Sequence, residues 1–446
     1  MGFSRTRPTF HIRTFGCQMN ENDSEYLAGL LTEAGYDQAD SPQTSDLVIV
    51  NTCSVREKSE EKLFSYLGRL ASWKRKRAFR LLVAGCSAQA HGQALLDRVP
   101  EVDLVLGPDS YARLPSLLAG DSWKAVDVDQ APTWSEDRPR TYLRQSPASA
   151  FVTIMEGCNN FCSYCIVPHT RGREKFRPLR RVLAEIQDLA GRGYQELVLL
   201  GQNVNSYRDS ETGRDFPALL RLAAGVSGWT WVRFITSHPK NFGGEIIRVM
   251  RENPVLCRQV HLPLQSGSTR VLERMNRGYT QEDYLHLADA LRENLPGIEL
   301  STDVIVGFPG ETEEDFEDTL RVLDRVRFAN IFSFRYSPRP FTASSRLADD
   351  VPLRTKQRRL TALQERQKEI QVKLNQALVG STRSVLGTGP SKKDARVFSG
   401  RDESSRVVNY SAPPGFDPLH RFVRVRITGY GPYSLRGELD VEGPKN

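Results

Sequence analysis

Glu156–Glu174 reads EGCNNFCSYCIVPHTRGRE, directly behind the apolar run Phe151–Met155. The run has the composition of a buried strand, and the cysteines Cys158, Cys162 and Cys165 follow it as C-x3-C-x2-C. Three thiolates on one compact loop suit three corners of a 4Fe–4S cube. Such clusters normally take four cysteine ligands, so one iron would stay open. An open iron can chelate the amino and carboxylate groups of S-adenosylmethionine (SAM), and an electron delivered there breaks a carbon–sulfur bond. The rival is a Cys3His zinc site completed by His169. Zinc knots favour paired Cys-x2-Cys hooks, so the spacing favours the cluster. Tyr164 has two open readings, a ring packed on the adenine of SAM or a loop aromatic against the rim of the fold.

Working outward towards the C-terminus, the strand–helix alternation continues. Strands are predicted at Phe151–Met155, Glu196–Leu200, Trp231–Ile235, Gln259–Leu262, Glu299–Val306 and Asn330–Tyr336, with helices such as Leu179–Ala190, Glu282–Asn294 and Glu313–Val326 between them. Six such units in roughly 190 residues imply a partial (β/α)6 barrel, since a closed eight-fold barrel takes about 250. Functional groups then belong at the carboxyl ends of the strands. Gln202 and Asn203 lie in GQNVNSY (Gly201–Tyr207), Ser237 and His238 after the third strand, Gln265 and Ser266 in LPLQSGS (Leu262–Ser268), and Gly307 in VIVGFPGET (Val304–Thr312). Each could be turn chemistry alone. Polar groups after four successive strands make a candidate SAM site.

Towards the N-terminus a strand–cysteine–helix unit occurs three times. Phe10–Thr14, Leu47–Asn51 and Leu81–Ala84 read as strands and are followed by Cys17, Cys53 and Cys86. Alternation of this kind implies a parallel sheet with covering helices. Loops after parallel strands share one edge of the sheet, so the three thiols can converge although they lie more than thirty residues apart. The alternative is three separately buried thiols. The shared Gly-Cys turns at Gly16–Cys17 and Gly85–Cys86 favour a metal site. Cys257, outside both triplets, reads as a structural thiol.

The expected organisation is an α/β domain over residues 1–126, a linker at 127–148, the partial barrel with a basic helix at 149–376, and a small OB-like β-barrel at 377–446. The helix near Arg354–Gln376 carries Arg354 and Arg358. In the last segment Arg421, Arg424 and Arg426 alternate with Phe422, Val423, Val425 and Ile427, which predicts one packed and one cationic face. Such barrels commonly bind RNA, and a formal net charge of +7 permits a polyanionic partner. Seven cysteines, an odd number, argue against a disulfide scaffold. No run of about 18 apolar residues is present, and the first residues lack the apolar core of a signal peptide. A cytoplasmic protein without membrane contact is expected.

TFGCQMNENDSE (Thr14–Glu25), VNTCSVRE (Val50–Glu57), GCSAQ (Gly85–Gln89), the Cys158 loop, SKKDARVFSGR (Ser391–Arg401) and SLRGEL (Ser434–Leu439) resemble the radical-SAM methylthiotransferases over nearly the whole chain. TFGCQMN, LLGQNVNSY and HLPLQSGS are most similar to the MiaB group of that family. The resemblance implies two 4Fe–4S clusters, the second an auxiliary one on Cys17, Cys53 and Cys86 that carries the sulfur, and two SAM per turnover. It implies a C-terminal TRAM domain that binds RNA, and as substrate a tRNA anticodon stem-loop. The methylthio group would be placed on carbon 2 of the isopentenylated adenosine beside the anticodon. A flavodoxin- or ferredoxin-like electron donor, a sulfur donor system and a monomeric enzyme complete the expectation. The chemistry is consistent, because that carbon–hydrogen bond is beyond side-chain acid–base catalysis at neutral pH. Sister groups act on a ribosomal protein or on a differently modified adenosine. A non-catalytic RNA-binding metalloprotein is the remaining alternative. One departure stands in SPRPFTAS (Ser337–Ser344), where the family usually reads RPGT and Phe341 replaces the glycine.

Overall fold

The structure, a computed structural model, describes residues 7–55, 57–120, 124–135, 141–391, 394, 397–413 and 415–440. The parts of the expectations that fall on Arg56, on 136–140 of the linker, on Lys392, Lys393, Ala395 and Arg396, and on Val441 lie outside these residues. The N-terminal part is built on a six-stranded sheet of β1 (Thr9–Phe15), β2 (Asp37–Gln38), β3 (Leu47–Thr52), β4 (Arg80–Gly85), β5 (Leu104–Leu106) and β6 (Ala125–Asp127), in the order β2-β1-β3-β4-β5-β6. All its pairings are parallel. All six residues of β3 are buried, as expected of a strand covered on both faces. Helix Gln18–Glu33 supplies Tyr26, Leu27, Leu30 and Leu31 to one face, and helix Glu57–Lys74 supplies Leu63, Leu67 and Leu70 to the other. Three of these strands escape the sequence reading because two or three residues are too short to show a period. The last of them, β6, runs one residue into the expected linker.

The central part begins with β7 (Ser149–Thr153). A short antiparallel pair, β8 (Met155–Glu156) and β9 (Lys175–Phe176), then pinches the base of the Cys158 loop. The parallel strands β10 (Glu196–Leu200), β11 (Trp231–Ile235), β12 (Gln259–His261), β13 (Glu299–Val306) and β14 (Asn330–Arg335) follow. They form two three-stranded sheets, β11-β10-β7 and β12-β13-β14, joined by a parallel bridge between Val232 and Leu256. The result is an open arc of six strands in chain order. Its outer face packs against the helices through residues such as Val152, Leu197, Leu199, Val260, Leu300 and Val304. Its inner face is partly filled from the N-terminal part, where Met19 packs on Val198 and Leu200 with Cys17, Phe151 and Ile235 around it.

The expected linker is more than a spacer. Arg144 is 4 % exposed and donates to Glu25 of the first helix and to Glu185 of helix Leu179–Gly191, both at 2.8 Å. It therefore bolts the N-terminal part to the arc.

Five strands close the C-terminal barrel: β15 (Thr382–Pro390), β16 (Phe398–Asp402), β17 (Val407–Ser411), β18 (Phe422–Tyr430) and β19 (Ser434–Leu439), in the order β15-β16-β17-β19-β18. Val385, Val408, Val423, Val425, Ile427 and Leu435 fill it. Arg421, Arg424 and Arg426 are exposed. Phe422 is not in this core, contrary to the alternation expected from the sequence. It shares strand parity with Arg424 and Arg426, so it faces outward, and its ring meets Trp231 edge-on with centroids 4.5 Å apart.

The barrel docks at the amino ends of the arc's strands. Trp231 and Glu299 open β11 and β13; Arg406 pairs with Glu299, and Glu403 accepts from the Arg258 amide at 2.8 Å. The Cys158 loop lies at the other end. In the basic helix, Leu353–Gln376, several cations are paired. Lys356 is held by Asp349 at 2.6 Å, Arg359 by Glu311 at 2.7 Å, and Arg358 by both oxygens of Glu313 at 2.9 and 2.7 Å. Arg354 remains exposed. Charge that looks solvated in sequence is here used to fasten the helix to the arc. Among the described residues no helix is long and apolar enough to cross a membrane.

Candidate cluster and cofactor site

The Cys158 loop is shaped by backbone constraints on both sides. Gly157 has φ +78°, and a Cβ there would collide with the carbonyls of Arg173 and Gly172. Its amide donates to Gln202 Oε1 at 2.5 Å. The Cys158 amide bonds to Gly172 O at 3.2 Å, the Cys165 amide to Cys162 O at 2.9 Å, and Ser163 N to Met275 O at 2.9 Å. The three thiols thus lie on one short, tied loop beside the ends of the strands.

The environment of these thiols fits an anionic cluster. Arg277, 4 % exposed, donates through Nη1 to Cys162 Sγ at 3.2 Å. It also donates to the neutral hydroxyls of Tyr279 at 3.0 Å and Tyr164 at 3.4 Å, and to the Pro263 carbonyl at 2.9 Å. A buried guanidinium without a carboxylate needs a counter-charge, and cysteine thiolates provide one. His238 Nε2 lies 3.9 Å from Cys162 Sγ, and its Nδ1 accepts from the Lys240 amide at 3.3 Å. That bond assigns the ring proton to Nε2, facing the sulfur. Burial, reinforced by Arg277 and Lys240, holds the His238 pKa down at about 2, so the imidazole is neutral. Burial pushes the Cys158 thiol up to about 11 and the Cys165 thiol up to about 12. Ligation by iron is what would deprotonate them.

The rim carries groups that could hold SAM. Asn203 is 1 % exposed; its Nδ2 donates to Asn241 Oδ1 at 3.0 Å. Asn203 Oδ1, Asn205 Nδ2 and Ser237 Oγ are buried without a hydrogen-bond partner. Such orphaned atoms are costly unless a ligand or water meets them. The other candidates make contacts within the protein. Tyr164 packs with Val271, Met275, Phe308 and Tyr336. Gln265, at φ +71°, bridges β12 to β13 through its backbone, accepting from Ile305 N and donating to Asp303 O. Ser266 Oγ accepts from Ser268 N at 3.2 Å. Gly307, at φ +70°, donates to Glu311 Oε2 at 2.5 Å. His169 is turned to the ring of Phe341, centroids 5.8 Å apart.

Cys17, Cys53 and Cys86 follow β1, β3 and β4, which are neighbours in the sheet, and they come together. Cys17 and Cys53 share a hydrogen bond, and Cys86 feels the charge of Cys17. The bond from Cys53 outweighs burial and holds the Cys17 pKa down at about 6; burial pushes the Cys86 thiol up. The hydroxyls of Thr52, Ser54 and Ser87, each next to a cysteine, are buried without partners. Arg171, near the C-terminal end of the Cys158 loop, donates through Nε to Cys86 Sγ at 3.2 Å and pairs with Asp23. It ties the two triplets together. Among the described residues no three His, Cys, Asp or Glu side chains are gathered as for a single metal ion.

The sequence model described as the Radical SAM superfamily matches residues 152–323, and that of Uncharacterized protein family UPF0004 matches residues 9–107. The tRNA-2-methylthio-N(6)-dimethylallyladenosine synthase of Alkalilimnicola ehrlichii is 44 % identical over 96 % of this chain and 97 % of its own length. The chain belongs to this synthase family. A Moorella thermoacetica synthase is likewise 44 % identical, over 98 % of this chain and all of its own. Membership makes this a radical SAM enzyme, for which the family implies a 4Fe–4S cluster and SAM. The fold is also that of the radical SAM methyltransferase TsrM from Kitasatospora setae (TM-score 0.53, 14 % identity, 85 % of this chain and 81 % of that one) and of the cobalamin-dependent radical enzyme OxsB (0.52, 12 %, 81 % and 56 %).

Arg171, Arg277 and Asp23 are the synthase-site residues that sequence reasoning missed. Arg171 lies within the quoted loop segment, but a buried arginine has the same letter as a solvated one. Its partners Asp23 and Cys86 are 148 and 85 residues away.

Proposed function

We propose that this chain is a tRNA methylthiotransferase, inserting a methylthio group at carbon 2 of the isopentenylated adenosine beside the anticodon. The observation that carries the reading is the pairing of two cysteine triplets across Arg171, which couples a radical-forming site to a second, sulfur-carrying one. When bound, a cluster with SAM at its open iron supplies a 5′-deoxyadenosyl radical. Cys158, Cys162 and Cys165 would hold that cluster, with Arg277 and His238 bonding the Cys162 sulfur. Asn203, Asn205 and Ser237 offer hydrogen bonds to SAM. Cys17, Cys53 and Cys86 would hold an auxiliary cluster, with the free hydroxyls of Thr52, Ser54 and Ser87 as donors to its sulfurs. Two SAM would be used per turnover. Arg354, Arg421, Arg424 and Arg426 would neutralise phosphates, while the target base leaves its stack to reach the site. The enzyme would work as a cytoplasmic monomer with a flavodoxin- or ferredoxin-like electron donor and a separate sulfur donor.

Anaerobic reconstitution of the full chain should give about eight irons per chain, two 4Fe–4S clusters. Changing Cys158, Cys162 and Cys165 together to Ala should leave about four and abolish 5′-deoxyadenosine formation. Mass spectrometry of tRNA nucleosides from a deletion strain, with and without the gene, reads the product. Full SAM cleavage by the triple variant, or an unchanged 2-methylthio signal, would sink the reading.

A further inference from the structure

We propose that Phe341 is a stacking platform for a nucleobase of the RNA substrate, set at the seam between the two cysteine triplets. The inference rests on the function proposed above. Phe341 lies in the loop after β14, and that loop touches both triplets. Arg339 donates to Glu60 at 3.0 Å and to the Val55 carbonyl at 3.3 Å, and the Val55 amide lies 3.4 Å from Cys53 Sγ. On the other side Ser344 N bonds to Ser163 O at 2.7 Å, inside the Cys158 loop. The Phe341 ring lies against His169, just past Cys165, with centroids 5.8 Å apart.

Two properties of Phe341 run against a purely structural role. Its φ is +67°, in the left-handed region that disfavours a bulky side chain. The residue is also 61 % exposed, so little burial offsets that strain. A glycine would adopt the turn freely, and a core aromatic would be covered. Strained residues persist when the surroundings fix them, and they cluster at functional sites. Here the surroundings do fix the loop: Tyr336 Oη bonds to Ser344 at 3.0 Å, and Thr342 Oγ1 to Arg339 O at 2.7 Å. Arg339 is committed to Glu60, so at this point the loop presents a π surface rather than a free charge. One face of the ring is turned to His169, and the exposed remainder can receive a base. Stacking on an aromatic ring is tolerant of base identity and needs no hydrogen-bond code. That suits a side chain which catches a base leaving its stack or steadies its neighbour.

The test uses the full-length, reconstituted enzyme and an anticodon stem-loop RNA carrying the isopentenylated adenosine. Kd is read by fluorescence anisotropy and KM and kcat by product formation, for wild type, Phe341→Gly and Phe341→Trp. Glycine suits φ +67°, so the Gly variant should keep its Tm and iron content. Its Kd and KM should rise about tenfold, within the range of one base–aromatic stack, with kcat falling less. Trp should restore both. A Gly variant with wild-type Kd and KM, or a Trp variant as weak as Gly, would overturn the assignment while leaving the methylthiotransferase reading intact. Wild-type protein that neither binds nor modifies the RNA would overturn both.

Discussion

Two arginines organise the chemistry at the residue scale. Arg277 brings a buried positive charge to Cys162, and Arg171 brings one to Cys86. Arg171 also neutralises Asp23, which is 2 % exposed. Replacing Arg171 by Gln removes the cation from a buried ion pair. The expected cost is about 3–5 kcal/mol, measured by denaturant unfolding of the metal-free protein. Gly157→Ala should act more locally. Its added methyl would collide with two carbonyls at φ +78°, so iron content should fall by about four per chain, one cluster, with the other triplet still loaded. The six cysteines were legible because each follows a strand whose apolar run is visible in a short window. The arginines were not, because what makes them special is a partner more than eighty residues away.

At the element scale the connections count for more than the elements. The stretch between the N-terminal sheet and the arc looks like a polar spacer, yet it delivers Arg144 to two buried carboxylates. Arg144→Ala should destabilise by about 3–5 kcal/mol for the same electrostatic reason. Limited proteolysis should then cut between the two parts. Helix Glu313–Val326 shows how charge sets an acid limit. Burial alone would raise the pKa of Asp315, but bonds from Arg270, Ser268 and Thr312 outweigh it and hold the carboxyl well below its ordinary value of 3.8. A lowered folded pKa gives stability that is complete above that value and lost as pH falls beneath it. Asp315→Asn should therefore lower Tm at neutral pH and flatten its decline below about pH 4, read from Tm against pH. The βα alternation of the arc was legible from strand periodicity. The role of the basic helix was not, since Glu311 and Glu313 claim its cations only once the chain is folded.

For the whole molecule, the C-terminal barrel and the Cys158 loop lie at opposite ends of the arc. A strand of five residues spans about 17 Å, so an RNA touching both must reach at least that far along the outside. Its contacts can be separated by salt. Arg421→Gln and Arg426→Gln should each reduce the slope of log Kd against log salt by about one. Arg358→Gln should leave the slope unchanged, because its guanidinium is already held by Glu313.

Met19 also bears on the order in which the chain assembles. Val198 and Leu200 form part of an apolar surface on the arc's inner wall, and the residue that covers them belongs to the N-terminal part. Synthesis runs from the N-terminus, so the cover leaves the ribosome before the wall it will protect. A chain lacking the N-terminal part would therefore expose Val198 and Leu200 to water.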